Sequence, residues 1–442
     1  MVGSGAGGAT VARELQGDYE VTVLEAGNAF RPFSFPLSLF EQVRKWGMFF
    51  DCRQIHWVFP TMQIRKTSEE MVLVNGIGTG GTTPIATGNA FRLDGELKRM
   101  GIDLDKEFEQ LAQEVPVSTS HQSGWNPTTR KLFEICQSLG LHPEPTPKMG
   151  NYEKCTHCGR CVFGCPYGVK WDSRVFLQDA LSRGARLATG CRVERVVIEK
   201  GVANGVRLGR GFSTRFIPAD VIVLAAGGLG TPEILERSGI PCESRLFVDP
   251  VLCVAAEQKE TSQNRKAFQN REVAMPFFIQ RDRFIVSPYF DYLSFFFNKK
   301  WRKPASRIVS WMIKLADSNE GNIFHGKVHK DLTDLDRSTL QEGMELCQEL
   351  LGKMGVRKHE VFLGTLNAGH PGGMLPLSAS EALSLQSSVL PENLYVADAT
   401  ILPKSPGGPP ILTLMALAKK ISTRIRQKWK PRIGVSACNW KI

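Results

Sequence analysis

Four cysteines within eleven residues are the most chemically specific feature of this 442-residue chain. Lys154 to Pro166 reads Lys-Cys-Thr-His-Cys-Gly-Arg-Cys-Val-Phe-Gly-Cys-Pro, so Cys155, Cys158, Cys161 and Cys165 follow the spacing C-x2-C-x2-C-x3-C-P. Spacers this short let one loop wrap three thiolates around a [4Fe–4S] cubane, and the terminal proline stiffens the exit. In two-cluster ferredoxins the fourth cysteine serves a second cluster. With no second run here, Cys165 or a distant thiol such as Cys191 would complete the site. Zinc is the rival ligand, although thiolate zinc sites usually come as separated pairs, and plain structural thiols are a third reading. The remaining seven, Cys52, Cys136, Cys191, Cys242, Cys253, Cys347 and Cys438, are scattered, as small buried apolar residues often are.

A second constellation opens the chain. Gly3, Gly5 and Gly8, with Ser4 and Ala6 between them, form G-x-G-x-x-G at the start of a helix-like segment running to Leu15. The first glycine permits a tight turn, the second lets backbone N–H groups approach a pyrophosphate, and the third lets the helix pack on a strand. The helix dipole favours phosphate there. A strand from Tyr19 to Leu24 follows and ends at Glu25, placed to accept hydrogen bonds from an adenosine ribose. Only Met1 and Val2 precede Gly3, so the first strand looks clipped and a start upstream of Met1 is the expectation.

These groups need elements to hold them. Val72 to Thr83 carries a second glycine-rich approach around Gly80, Gly81 and Thr82. A buried-looking strand, Val221 to Ala226, leads through Gly227 to Pro232 into a helix from Glu233 to Arg237. Strand Asn393 to Ala397 ends at Asp398, and a helix runs from about Ile411 to Lys428. Four glycine-marked sites spread over the whole chain point to one extended ligand. A length of 442 residues predicts two or three domain-sized units. Hydrophobic residues at 42% and charged residues at 22% exclude a disordered or collagen-like chain. With no apolar run near the roughly 18 residues of a span, and no signal-peptide core, a cytoplasmic protein is the expectation.

The Gly3 to Gly8 loop, Gly80 to Thr83, Gly227 to Ile240 and Asn393 to Met415 together resemble the glucose-methanol-choline (GMC) oxidoreductases. The resemblance implies an α/β fold, a Rossmann-like FAD-binding domain with an inserted α+β substrate domain. It divides the chain into an FAD-binding part at 1–243 carrying the cysteines, a substrate-binding domain at 244–360, and a second FAD-binding part at 361–442. It implies FAD held by Gly3, Ser4, Gly5, Ala6, Gly8, Glu25, Gly80, Gly81, Thr82, Val193, Asp398, Ala399 and Pro410. The implied reaction is oxidation of the CH–OH group of an alcohol, with hydride passing to flavin. His370, in Ala368-Gly369-His370-Pro371-Gly372-Gly373, matches the position of the family's active-site histidine, and a neutral imidazole can take the hydroxyl proton near neutral pH. Two positions depart from the pattern. Pro409 stands where a second His or Asn is usual and offers no side-chain donor or acceptor, and Ala86 replaces an Asn after the flavin loop.

A cluster beside the flavin would give a one-electron exit, favouring a dehydrogenase over an oxygen-using oxidase and implying an electron-carrier partner. Two rival readings stay open: a flavin-dependent reductase of an unsaturated apolar substrate, and a non-catalytic flavo-iron-sulfur electron-transfer module. The net charge of +11 is local. Tyr292 to Ala316 holds six Lys/Arg and Ala399 to Ile442 nine, with no Asp or Glu in either. Phe290, Tyr292, Phe295, Phe296, Phe297, Trp301 and Trp311 interleave the first patch. They read as pocket lining or lid, as a peripheral membrane contact, or as a basic dock for an acidic carrier. Nucleic acid is not expected, since nothing else belongs to such a module.

Overall fold

Met1 and Val2 are all the sequence offers before the first glycine, and they lie in the middle of a parallel sheet. Val2 N donates to Val223 O (2.9 Å) and Val2 O accepts from Ala225 N (2.8 Å), while Leu24 N donates to Met1 O (2.9 Å) and Gly3 N to Leu24 O (2.8 Å). On one side strand Thr22–Leu24 pairs in parallel with Arg186–Ala188, and on the other Ile222–Leu224 pairs with Leu394–Val396. Both faces are covered, so Val223, Leu224, Leu394 and Val396 are all buried, as parallel sheets require. The structure, a computed structural model, describes residues 1–33, 41–42, 55, 59–209, 214–258 and 269–430. Cys52, Cys438 and the end of the basic tail lie outside them.

Helix Ala6–Leu15 leaves this sheet directly and packs against helices Arg174–Ser182 and Ile411–Lys428. Small residues bring this helix onto the strand ends: a Cβ on Gly8 would stand 2.1 Å from Gly3 O, and one on Gly7 1.6 Å from Ala397 O. A charged seam joins the same helices, with Arg13 reaching Glu114 (2.8 Å) and Asp179 (2.9 Å) and the buried Lys419 reaching Glu14 and Glu114. An antiparallel meander, Val193–Glu199, Val202–Leu208 and Arg215–Pro218, completes this half.

The other half is a nine-stranded mixed sheet. Its core strands are Val251–Glu257, Phe277–Gln280, Phe284–Pro288 and Ile308–Leu315, and Met62–Lys66, Val72–Gly76, Glu144–Pro145 and Asn367–Ala368 pair into it from outside residues 244–360. Ile308–Leu315 is buried along its whole length because both faces are covered. Val309, Trp311, Ile313 and Leu315 face a cluster that includes helix Asp334–Lys353, and Ile308 and Met312 face an aromatic cluster on the other side, a period of two. That aromatic cluster holds Phe290, Tyr292, Phe295, Phe296 and Trp301 with Phe163 from the cysteine run. The rings thus face inward, while Lys299, Lys300 and Arg302 form an exposed basic rim. No helix among the described residues is long and apolar enough to cross a membrane.

Candidate functional site

The glycine loops converge. Gly3 has φ +96°, and a Cβ there would stand 2.3 Å from Ala225 O, so the turn admits no side chain. Gly5 differs, since the nearest atom to a Cβ on it would be Gly81 Cα at 3.9 Å, which leaves open space at the N-terminus of helix Ala6–Leu15. Ser4 ties three segments together. Its N and Oγ donate to Glu25 Oε2 (3.0 and 2.6 Å), and its Oγ accepts from Gly80 N (3.1 Å). Glu25 is buried and also accepts from Gly27 N, while Cys191 N donates to Glu25 O (2.8 Å), setting the start of the meander at Val193 nearby. Asp398 accepts from Gly227 N (2.9 Å), Thr231 Oγ1 (2.5 Å) and Thr400 N (2.9 Å), so its oxygens cap Gly227–Arg237 and the turn from Ala399. Thr82 Oγ1 accepts from Gly76 N (3.1 Å), and Pro410 is the buried cap of Ile411–Lys428. An open helix N-terminus facing a second glycine loop, with a carboxylate at the strand end, fits a dinucleotide.

His370 is brought here by register. Asn367–Ala368 pairs in parallel with Val72 and Leu73, and continuing that register sets His370 opposite Asn75, just before the Gly76 to Thr83 loop. The His370 loop is stitched on both sides: His370 N donates to Val248 O (3.4 Å), Phe247 and Gly372 exchange two 3.1 Å bonds, and Gly373 N donates to Ala399 O (3.0 Å). Behind the ring stands Asp249, with φ +53°, an uncommon conformation for a residue with a Cβ and one that marks functional sites. His370 Nδ1 lies 3.7 Å from Asp249 Oδ2, beyond hydrogen-bond range, and has no hydrogen-bond partner. Lys314 Nζ is 2.9 Å from the same oxygen, and Ser405 Oγ donates to Asp249 Oδ1. Asp317 accepts from Val248 N and Asp249 N and pairs with Lys330 (2.9 Å), so four buried charges back the histidine.

Burial lowers the His370 pKa and Lys314 pushes it further down, against Asp249, which favours the neutral ring. Burial pushes Asp249 up, but Lys314, His370 and Ser405 more than offset it and hold the carboxyl below its ordinary range. Sequence reasoning missed Asp249, Lys314 and Asn75, whose Oδ1 is buried without a hydrogen-bond partner. One signal was present: Lys314 is the one charged residue in strand Ile308–Leu315, which is otherwise apolar but for Ser310.

Cys155, Cys158, Cys161 and Cys165 line one small cavity with Tyr152, His157 and Lys170 in its wall. Cys191 does not line it and packs in the nucleotide-domain core. Among the described residues no group of three or more His, Cys, Asp or Glu side chains is placed to hold a metal ion. Burial pushes Cys155 up to about 12, the reverse of what a reactive nucleophile shows. Lys170 Nζ donates to Cys161 O (2.9 Å), Pro84 O (2.6 Å), Ala86 O (2.6 Å) and Thr83 O (3.4 Å), bolting the loop after Thr82 to the cysteine run. His157 Nδ1 and Glu272 Oε1 meet at 2.5 Å, and Glu272 Oε2 accepts from Asn126 N and Thr129 Oγ1. The outer rim, Thr156, Pro166, Tyr167 and Gly168, is exposed.

Residues 96–255 match the family model described as GMC oxidoreductase. An uncharacterized protein of Methanocaldococcus jannaschii is 25% identical over 439 residues, covering 96% of this chain and 98% of that protein. A long-chain-alcohol oxidase of Arabidopsis thaliana is 24% identical over 96% of this chain and 67% of its own length. An uncharacterized GMC-type oxidoreductase of Mycobacterium tuberculosis is 32% identical over 56% of this chain, which spans 40% of that relative. Two solved structures share the fold: pyridoxine 4-oxidase from Mesorbium loti, with a TM-score of 0.67, 15% identity and coverage of 96% and 98% of the two chains, and Aspergillus oryzae formate oxidase, with 0.68, 13%, 97% and 98%. The chain thus has the two-part α/β fold of these oxidases.

Proposed function

We propose that this chain is a GMC-type, FAD-dependent oxidoreductase that oxidises the CH–OH group of an alcohol, with His370 as the base. The carrying observation is the His370 loop, stitched between Val248 and Ala399 at the convergence of the glycine loops. Gly3, Ser4, Gly5, Ala6 and Gly8 would hold the pyrophosphate, Glu25 the ribose, and Val193 the adenine. Gly80 to Thr82, Asp398, Ala399 and Pro410 would hold the flavin side. FAD, when bound, supplies the acceptor for the α-hydrogen as hydride. Nδ1 is the nitrogen on the Asp249 side, 3.7 Å from its Oδ2, so Nε2 is assigned to take the hydroxyl proton. Pro409 contributes no second polar contact, and we assign that role to Asn75, at the register position beside His370. The alcohol class draws support from the long-chain-alcohol oxidases among the relatives.

The same reading gives Cys155, Cys158, Cys161 and Cys165 to a [4Fe–4S] centre, which when bound carries single electrons. What supports it is the ferredoxin-type spacing, one cavity shared by four thiols, the Lys170 tie to the loop after Thr82, and the exposed outer rim. An electron-carrier protein would meet that rim. The test is to purify the protein anaerobically, quantify FAD and iron, and offer a panel of primary alcohols with either an artificial one-electron acceptor or oxygen. Dye reduction that outpaces peroxide formation is expected. Peroxide as the main product, from protein without iron, would return the cysteines to a structural role.

A further inference from the structure

Five lysines are buried among the described residues, and three sit against carboxylates: Lys314 on Asp249, Lys330 on Asp317, and Lys419 on Glu14 and Glu114. The other two, Lys148 and Lys170, have only neutral acceptors. Lys148 Nζ donates to Asn89 Oδ1, Ala274 O (2.5 Å) and Thr87 O (3.4 Å), and Lys170 Nζ to the four carbonyls named above. The carboxylates near them are committed elsewhere. Asp172 is held by Arg174 at 2.8 Å through both oxygens, and Glu272 by His157, Asn126 and Thr129. A buried ammonium with no counter-charge is costly, and proteins rarely keep one, let alone two together.

Lys170 is part of the cysteine cavity's wall, and Lys148 donates to the carbonyl of Ala274, which follows the wall residue Val273. Four thiolates around a doubly positive iron–sulfur core leave two negative charges for the nearby cations, the two buried lysines and Arg160 in the wall. We infer that Lys148 and Lys170 are the built-in counter-charges of a doubly negative metal–thiolate centre in this cavity, an inference that rests on the cluster reading above. Adding one electron takes such a centre from two negative charges to three, a state the ammonium groups stabilise, so they set how readily it is reduced.

The test uses the full-length protein reconstituted anaerobically with ferrous iron and sulfide, and compares the parent with Lys148→Gln and Lys170→Gln. Gln keeps a donor for the carbonyls and removes the charge. Should either fail to fold, the Met variant at that position is read in the same way. Iron and FAD are quantified, and the centre is titrated with dithionite against redox dyes. With iron content intact, each variant is expected to lower the reduced-to-oxidised ratio at fixed potential at least tenfold, 59 mV for a one-electron couple. A variant that keeps FAD but sheds iron the parent retains supports the same inference through retention. Both variants keeping iron with ratios within twofold of the parent overturns it while leaving the cluster reading intact. A parent that takes up no iron overturns the cluster reading and this inference with it.

Discussion

Replacing Lys314 should move the acid limb of turnover to higher pH. Its ammonium touches Asp249 Oδ2 at 2.9 Å, and that oxygen lies 3.7 Å from His370 Nδ1, so laid end to end the two contacts put the charge at most about 6.6 Å from the ring. At an effective dielectric constant near 20, two unit charges at that distance repel by about 2.5 kcal/mol. His370 is 21% exposed, and halving the figure for screening leaves about one pH unit. Lys314→Met therefore raises the His370 pKa by about one pH unit, and Asp249→Asn, which removes the opposing charge, lowers it. The assay is kcat/KM against pH for one alcohol with an artificial acceptor, on variants of matched FAD content. Lys314→Met alone strands a buried carboxylate at a cost of about 3–5 kcal/mol, which the double variant with Asp249→Asn relieves. Limbs that move the same way in both single variants, or not at all, would refute the charge-balanced picture of the base.

Other outcomes follow from single residues. His370→Asn should cost turnover about 10²- to 10⁴-fold with FAD content unchanged, measured by steady-state kinetics beside flavin absorbance. Gly5→Ala places its Cβ in open space, so it should deplete bound FAD without lowering the unfolding midpoint. Gly3→Ala, at φ +96° and 2.3 Å from Ala225 O, should destabilise the fold by about 1–3 kcal/mol or more, and thermal melts separate the two. Burial pushes the pKa of His121 down to about 4; its Nδ1 accepts from Trp125 Nε1 (3.0 Å) and its Nε2 donates to Thr146 O (2.8 Å). The unfolded state then binds the extra proton first, so stability falls as pH drops from about 6.5 to 4, by about 3 kcal/mol. Denaturant titrations at both ends should show this, and His121→Gln should flatten it.

The glycine sites were legible because each encodes a backbone constraint that only glycine meets, which is why Gly3, Gly8 and Gly81 could be placed without knowing what they touch. Helix Ile411–Lys428 was legible in its ends as well, being long and amphipathic. Tyr19 to Leu24 reads as one strand but is ordered as strand only over Thr22–Leu24, because the turn at Gly17, φ +109°, takes up the preceding residues. Pairings across long distances were not legible. Nothing local says that Val72–Gly76 joins Asn367–Ala368, and that pairing delivers His370 to the glycine loops. The same holds for Asp249 and Lys314, 65 positions apart: a lysine inside Ile308–Leu315 signals a buried partner without naming it. The aromatic-basic segment reads as pocket lining or lid, as a membrane contact or as a basic dock; its rings are interior because the sheet is covered on both faces, and Phe290 and Tyr292 line a cavity there.

The central claim, alcohol oxidation by His370 at the glycine-loop site, is tested most directly by mixing FAD-loaded protein anaerobically with a primary alcohol and following the flavin absorbance in a single turnover. The account predicts bleaching in the parent, slowed by at least two orders of magnitude in His370→Asn. Flavin that stays oxidised with every alcohol offered, or that bleaches equally fast in the variant, would contradict it.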